Sequence, residues 1–302
     1  MKGSKFSTVL LLLLLAMIWG SSFILIKKGL IYMSASQLGA LRVAISSVAL
    51  SPFVIRKLKK YNAQEKFYLL VSGFCGSVGP AFLFAFAETK IDSSVAGVLN
   101  SLTPIFTLII GFSFFQLSIT KQKLSGVFLG FSGAIFLILS QSEEGISLEN
   151  IEYSVLPIIA TILYGVNINL VKKKLSHIPS FQITAISFLL WMPVVVGYLA
   201  FSGYFVDLLY TPGTINGFMY VSILSLVGTA MAYIIFNRLI KMSGPIFASS
   251  VTYLIPVFAI LWGIFDGETI ELRSFMWSGL ILAGIFLINA PSTKGILART
   301  TK

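Results

Sequence analysis

Ten stretches of this chain are apolar for long enough to cross a lipid bilayer. They cover approximately residues 8–26, 36–55, 67–87, 94–115, 124–140, 154–171, 181–201, 215–236, 246–265 and 274–290. A helix needs about 20 mostly apolar residues to cross the hydrocarbon core, whereas a membrane β-strand alternates apolar and polar residues over about ten positions. The unbroken apolar run from Leu10 to Leu15 shows no such alternation. We therefore predict an all-α integral membrane protein with ten transmembrane helices.

The basic residues between these stretches indicate how the chain is oriented. If the N-terminus is cytosolic, the cytosolic flanks hold 17 lysines and arginines and the outer flanks hold Lys27, Lys28, Lys90 and Arg273. Basic residues concentrate on the cytosolic side of membrane proteins, so we expect both termini in the cytoplasm and the chain in the cell (inner) membrane. Because the net charge of +11 is explained by these short loops, we expect the lipid bilayer and no nucleic acid as a partner.

Two halves of the chain repeat one pattern at an offset of 152 residues: Ala96, Leu102, Pro104, Phe106 and Gly111 align with Ala248, Leu254, Pro256, Phe258 and Gly263. Each half holds five predicted helices, and an odd number makes the second half enter the membrane from the opposite side. The sequence thus predicts two inverted five-helix repeats, residues 1–142 and 143–302, joined near 141–152. Inverted repeats around a central site are typical of secondary transporters.

Equivalent helices of the two halves carry similar polar clusters. Trp19 and Ser22 interrupt the leucine run of the first helix, and Tyr164 and Asn167 occupy the corresponding part of the sixth. Small and polar residues also serve helix packing, and for each residue alone that interpretation remains open. Because both halves carry such a cluster, we predict that these four residues line a shared substrate cavity.

Prolines within predicted helices mark a second group of candidates. Pro104 follows Asn100, and Pro256 follows Tyr253; a proline inside a helix frees a carbonyl group and kinks the helix. Gly79 in the third helix and Tyr233 in the eighth extend the pattern, so we add these six residues to the predicted substrate site. Packing strain without function is the alternative.

Arg42 is the one basic residue inside a predicted helix. Charged residues within a membrane are by default functional candidates, so Arg42 is included in the predicted site. It lies about six residues from the outer end of its helix, and its long side chain could instead extend outward to anchor the helix. The sequence leaves both roles open.

The remaining titratable residues suggest no catalysis. His177 and Cys75 are each the single residue of their type, and no cluster with metal-ligand spacing, nucleophile motif or nucleotide-binding loop is present. We expect no enzyme activity, no metal and no cofactor. Glu88 ends the third predicted helix and is interpreted as an interface residue at the outer surface rather than as a proton carrier. With no acidic residue in mid-helix, we expect uniport-like or weakly coupled transport that runs down the substrate's own gradient.

Several motifs together resemble the drug/metabolite transporter superfamily, and within it the EamA-like ten-helix permeases. These motifs are Trp19-Gly20-Ser21-Ser22-Phe23 followed by Lys27, Leu41-Arg42, the segments Ala96 to Pro104 and Ala248 to Pro256, and Gly267-Glu268 before a final helix with Gly279 and Ala283-Gly284. The resemblance covers about residues 8–290. The family commonly has Gly-Glu in both halves; here Phe115-Gln116 stands in the first.

The resemblance implies a small-molecule exporter of the inner membrane without a prosthetic group. We therefore expect two EamA-like repeats and alternating-access export of amino acids or related metabolites. A non-transporting receptor or scaffold that keeps the fold is the alternative. The oligomeric state stays open, because Gly126 and Gly130 suit packing inside one chain as well as in a dimer.

Overall fold

The computed structural model of the chain describes residues 5–115, 120–139, 151–268 and 271–289. Within these ranges the regular structure is helical and contains no strand, which confirms the predicted all-α class. The helices are α1 (Lys5–Leu30), α2 (Ala35–Leu50), α3 (Ala63–Ala87), α4 (Ser93–Phe115), α5 (Lys121–Leu139), α6 (Ile151–Lys174), α7 (Ser180–Phe201), the short α8 (Tyr204–Tyr210), α9 (Thr214–Ser243), α10 (Pro245–Phe265) and α11 (Leu272–Asn289).

In the part of the chain that the structure describes, seven helical segments are long and apolar enough to cross a membrane. They lie in α1, α3, α4, α6, α7, α9 and α10. Helices α2, α5 and α11 coincide with the other three predicted stretches, and the count of ten crossings stays a prediction. Helix α2 ends at Leu50 rather than near residue 55 because Pro52 follows, and two 3-10 turns continue to Lys60. The proposed junction at 141–152 lies almost entirely outside the described residues.

Four long helices are interrupted at related positions. Helices α3 and α9 each contain a π-helical segment, Phe74–Val78 and Leu226–Met231, a wider turn that is often found at functional sites. Helix α4 breaks after Asn100, and α10 contains the 3-10 turn Ser250–Tyr253. Both breaks immediately precede the prolines predicted to kink these helices. The paired interruptions place irregular backbone near the centre of the bundle.

Helices α5 and α11 approach each other through glycine. A Cβ atom added to Gly284 would lie 2.5 Å from the backbone nitrogen of Gly130 and 2.6 Å from the carbonyl oxygen of Gly126. Such distances leave no room for a side chain. The Gly-x-x-x-Gly pair in α5 therefore packs within one chain, which decides between the two interpretations left open by its sequence.

Candidate functional site

A central cavity lies between helices from both halves of the chain. Six of the eleven predicted site residues line it: Trp19, Ser22, Arg42, Asn100, Tyr164 and Tyr233. The structure adds seven lining residues that were not among the predicted site residues: Phe23, Ile26, Phe84, Thr103, Ile168, Phe236 and Thr252. The cavity therefore combines one cation, a few polar groups and a largely aromatic wall.

Aromatic rings form most of the cavity wall. The ring of Trp19 packs edge-on against Phe236, with centroids 4.8 Å apart, and against Tyr233 at 5.7 Å. On the other side Phe84 meets Phe23 edge-on at 5.5 Å and stacks on Tyr164 at 6.4 Å. Because such contacts join α1, α3, α6 and α9, an apolar group in the cavity would touch rings from both halves.

Arg42 lies inside the bundle and does not reach outward. Its side chain is 6% exposed, and its Nε donates a hydrogen bond of 2.7 Å to Oγ1 of Thr229. The Thr229 hydroxyl in turn donates to the carbonyl oxygen of Leu224, five residues earlier, as the π-helical turn permits. Among the described residues no carboxylate forms an ion pair with Arg42. The cavity thus contains a guanidinium group without a counter-ion.

The two helix breaks bring matching hydroxyl groups to the cavity. Thr103 donates to the carbonyl oxygen of Asn100 at 2.7 Å, and Thr252 donates to that of Ser249 at 2.9 Å. These bonds satisfy carbonyl groups that the breaks release. The side-chain oxygen of Asn100 is buried without a hydrogen-bond partner. It is therefore a free acceptor beside the cavity.

Asn167 lies in a second, smaller cavity that shares Tyr233 with the central one. Its Oδ1 accepts a hydrogen bond of 2.6 Å from Ser72 on α3. In the same cavity Asn237 donates to Thr184, while Oδ1 of Asn237 and the hydroxyl of Ser77 have no partner. Asn167 thus links α6 to α3 and does not line the central cavity.

The other four predicted site residues also lie outside the central cavity. A Cβ atom on Gly79 would come within 2.8 Å of Leu163, so Gly79 lets α3 and α6 pack closely. Pro104 and Pro256 are the second residues of the helical pieces that follow the breaks. Tyr253 is half-buried next to the second break. These residues shape the backbone around the cavity.

A polar cluster lies at the end of the bundle predicted to face outward, hereafter the outer end. Oε1 of Glu268 accepts hydrogen bonds from Lys27 at 2.9 Å and from the hydroxyl of Ser93 at 2.6 Å, and Oε2 accepts one of 3.3 Å from the backbone nitrogen of Ser94. Asp266 pairs with Lys27 at 3.1 Å and also with Lys28. The loop after α10 is thereby tied to α1 and to the first turn of α4.

Hydrogen bonding determines the protonation of Glu268. Burial alone would raise the pKa of this carboxyl, but donors from Ser93, Lys27 and Ser94 outweigh that effect and hold the pKa of Glu268 below its ordinary value. The ionised carboxylate of Glu268 therefore accepts hydrogen bonds both from the first residues of α4 and from Lys27.

Glu88 is the clearest departure from the sequence-based interpretation. It was expected at the surface, yet its side chain is 7% exposed and both carboxyl oxygens lack hydrogen-bond partners. Helices α2 and α6 pack against the second half of α3. The prediction of an interface residue is wrong, because neighbouring helices cover this position.

Comparisons with known proteins agree with this architecture. The model of the EamA-like transporter family matches residues 6–139 and 153–290. The chain is 27% identical over 287 residues to an uncharacterized transporter of Archaeoglobus fulgidus, covering 94% of this chain and 97% of that protein. It is 23% identical to the uncharacterized inner membrane transporter YedA of Escherichia coli K12, covering 91% and 88% of the two chains.

Two further matches concern substrate and fold. A protein of Salmonella typhimurium described as a "Probable amino-acid metabolite efflux pump" is 25% identical, covering 92% of this chain and 93% of that protein. A solved crystal structure superposes with a TM-score of 0.66 at 14% identity, covering 99% of this chain and all of that one. The superposition supports the overall fold alone.

Proposed function

This chain belongs to the EamA-like transporter family, and we propose that it exports amino acids or related small metabolites by alternating access. The observation that carries the proposal is the central cavity, which is lined from both halves and contains the unpaired Arg42. The relative described as a probable amino-acid metabolite efflux pump supports the substrate class.

The cavity chemistry suits a small amphipathic solute with a carboxylate. A guanidinium group binds carboxylates through paired N–H donors, and only Nε of Arg42 is engaged, by Thr229. The free acceptor of Asn100 suits an ammonium or hydroxyl group. The rings of Trp19 and Phe84 would contact an apolar side chain. An amino acid or a related acid combines these groups.

The alternating-access part of the proposal rests on paired irregularities. The π-helical segments of α3 and α9 and the breaks of α4 and α10 occur at corresponding places in residues 1–142 and 143–302. Discontinuous helices in inverted repeats commonly surround transporter substrate sites. We propose ten crossings in two inverted repeats, with both termini in the cytoplasm and no cofactor.

Reconstitution into liposomes tests the function. Purified protein in vesicles loaded with mixed amino acids and metabolites should release one or more carboxylate-bearing solutes faster than protein-free vesicles. Arg42→Gln should abolish that release, because the guanidinium would no longer hold the carboxylate. Arg238→Gln, at an exposed residue, is the matched control and should transport normally. Failure of the parent protein to move any solute would overturn the proposal and favour a receptor or scaffold.

A further inference from the structure

Glu88 is a buried acid that the proposed substrate site does not use. It follows the last residue of α3, and its backbone nitrogen donates to the carbonyl oxygen of Phe84, one turn deeper in the bundle. Phe84 lines the central cavity, so Glu88 lies just beyond the cavity wall on the outer side. Its two carboxyl oxygens are shielded from solvent and have no hydrogen-bond partner.

Burial and the negative charge of Glu268 oppose an ionised Glu88 more strongly than the positive charges of Arg42 and Lys27 favour it. Arg42 on α2, Lys27 on α1 and Glu268 after α10 are the charges that act on it. Lys27 is bound by Asp266 and Glu268, and Arg42 donates its Nε to Thr229. Glu268 is itself negative.

Helix α6, which also packs on this part of α3, contributes no nearby charge. Its charged residues are Glu152 at one end and Lys172, Lys173 and Lys174 at the other, all exposed. It presents Tyr164 to Phe84. Among the described residues, no hydrogen-bond donor reaches either carboxyl oxygen of Glu88.

An ionised carboxylate in such a site would be strongly unfavourable. Removing a charge from water without a partner costs several kcal/mol or more, and the group takes up a proton instead. Glu88 is thus expected to be a neutral carboxylic acid while the outer end covers it. If the outer end opens, water reaches the group and it ionises at an ordinary carboxyl value of about 4.3.

We propose that Glu88 is a proton-binding site whose occupancy is linked to the outer end of the cavity: the proton is bound when that end is closed and leaves to water when it opens. The inference rests on the proposed transport function and adds an ion to it. It replaces the expectation of uniport-like or weakly coupled transport, which rested on the lack of an acidic residue in mid-helix.

The direction in which pH shifts the equilibrium follows from the proton affinities of the closed and open states. The closed state binds the proton more tightly than the open state, so protons stabilise the closed state. As the pH rises above the ordinary carboxyl value, the open state loses its proton first and gains population. One linked proton changes the ratio of the two states by at most about tenfold per pH unit.

Accessibility labelling can test this linkage without substrate. A Cys75→Ser background with Ser22→Cys would place one thiol on the cavity wall, where a membrane-impermeant maleimide arrives from outside when the outer end is open. Rates should be divided by those of an exposed Thr89→Cys reference, because thiol reactivity itself depends on pH. We expect the normalised rate to rise between about pH 5 and about pH 9.

Variants at Glu88 decide the outcome. Glu88→Gln and Glu88→Ala both remove the titrating group, so the normalised labelling rate of either folded variant should not depend on pH. Glu88→Asp keeps a carboxyl group, so its labelling rate should still rise with pH. Glu152→Gln, at an exposed acid of α6, is the control and should behave like the parent. A flat parent profile, or an unchanged rise in the folded Glu88 variants, would overturn the proposal. Failure here would leave the liposome result untouched, because no solute movement is measured.

Discussion

The indole Nε1 of Trp19 donates a hydrogen bond of 3.0 Å to the carbonyl oxygen of Gly228. The bond joins α1 to the π-helical segment of α9, at the wall of the central cavity. A Cβ atom on Gly228 would lie 2.8 Å from Oγ of Ser22, so only glycine allows this approach without displacing Ser22. The contact connects the two halves of the chain where the substrate is proposed to bind.

Replacing Trp19 by phenylalanine isolates this hydrogen bond from the aromatic wall. The ring would still cover the cavity, but the Gly228 carbonyl would lose its donor at a cost of about 1 kcal/mol, and we expect transport to fall up to about tenfold with normal amounts of folded protein. Trp262→Phe is the matched control, because its indole donates to Ser21 on an exposed face. Equal transport by both variants would assign the Trp19 contact to packing alone.

Asn167→Ala should lower stability more than it lowers transport by folded protein. It removes the acceptor of the buried Ser72 hydroxyl, and interhelical hydrogen bonds in membranes contribute about 0.6–2 kcal/mol. The check is thermal unfolding in detergent together with transport per folded molecule. Asn216→Ala, at an exposed position of α9, should change neither. A stable variant with lost transport would instead place Asn167 on the substrate path.

Gly284→Ala should destabilise the packing of α5 against α11. Its new methyl group would meet backbone atoms of Gly126 and Gly130, which cannot rotate away, and overpacking costs about 1–3 kcal/mol. Gly279→Ala in the same helix meets nothing within 4 Å and is the control. Comparison of the unfolding temperatures of the two variants measures the effect. Similar temperatures would show that α5 and α11 can move apart to accommodate the methyl group without a loss of stability.

Glu268→Gln should destabilise the closed outer end and remove a pH dependence. The pKa of Glu268 is depressed in the folded protein, so its stabilising contribution is complete above about pH 4.3 and is lost as the pH falls through the depressed value. We expect the parent to lose thermal stability in acid more steeply than the variant. The control is Glu271→Gln, which breaks only the exposed pair with Arg273. Parallel acid profiles of parent and Glu268→Gln would contradict this role.

Cysteine labelling in intact cells can check the proposed orientation. In a Cys75→Ser background, Thr89→Cys should react with an impermeant reagent from outside, and Ser176→Cys should react only after the membrane is permeabilised. Both positions are exposed. Ser142, another position expected outside, lies beyond the described residues. The opposite labelling pattern would reverse the orientation.

The positions of the helices followed from the sequence because apolar length alone is enough to place a membrane helix. The two helix breaks could be predicted from Pro104 and Pro256, since proline fixes its own backbone φ angle and lacks an N–H donor. Six cavity residues, Arg42 and Trp19 among them, were also recognisable, because polar or aromatic groups within apolar helices are uncommon and stand out.

Tertiary packing decided which side chains share a cavity. Asn167 and Tyr164 lie three residues apart on one helix, yet only Tyr164 reaches the central cavity, because helix rotation assigns each side chain to a different neighbour. The burial of Glu88 could not be predicted from the sequence for the same reason. Its place at a helix end suggested contact with water, but the packing of α2 and α6 against α3 shields it, since burial depends on elements distant in sequence.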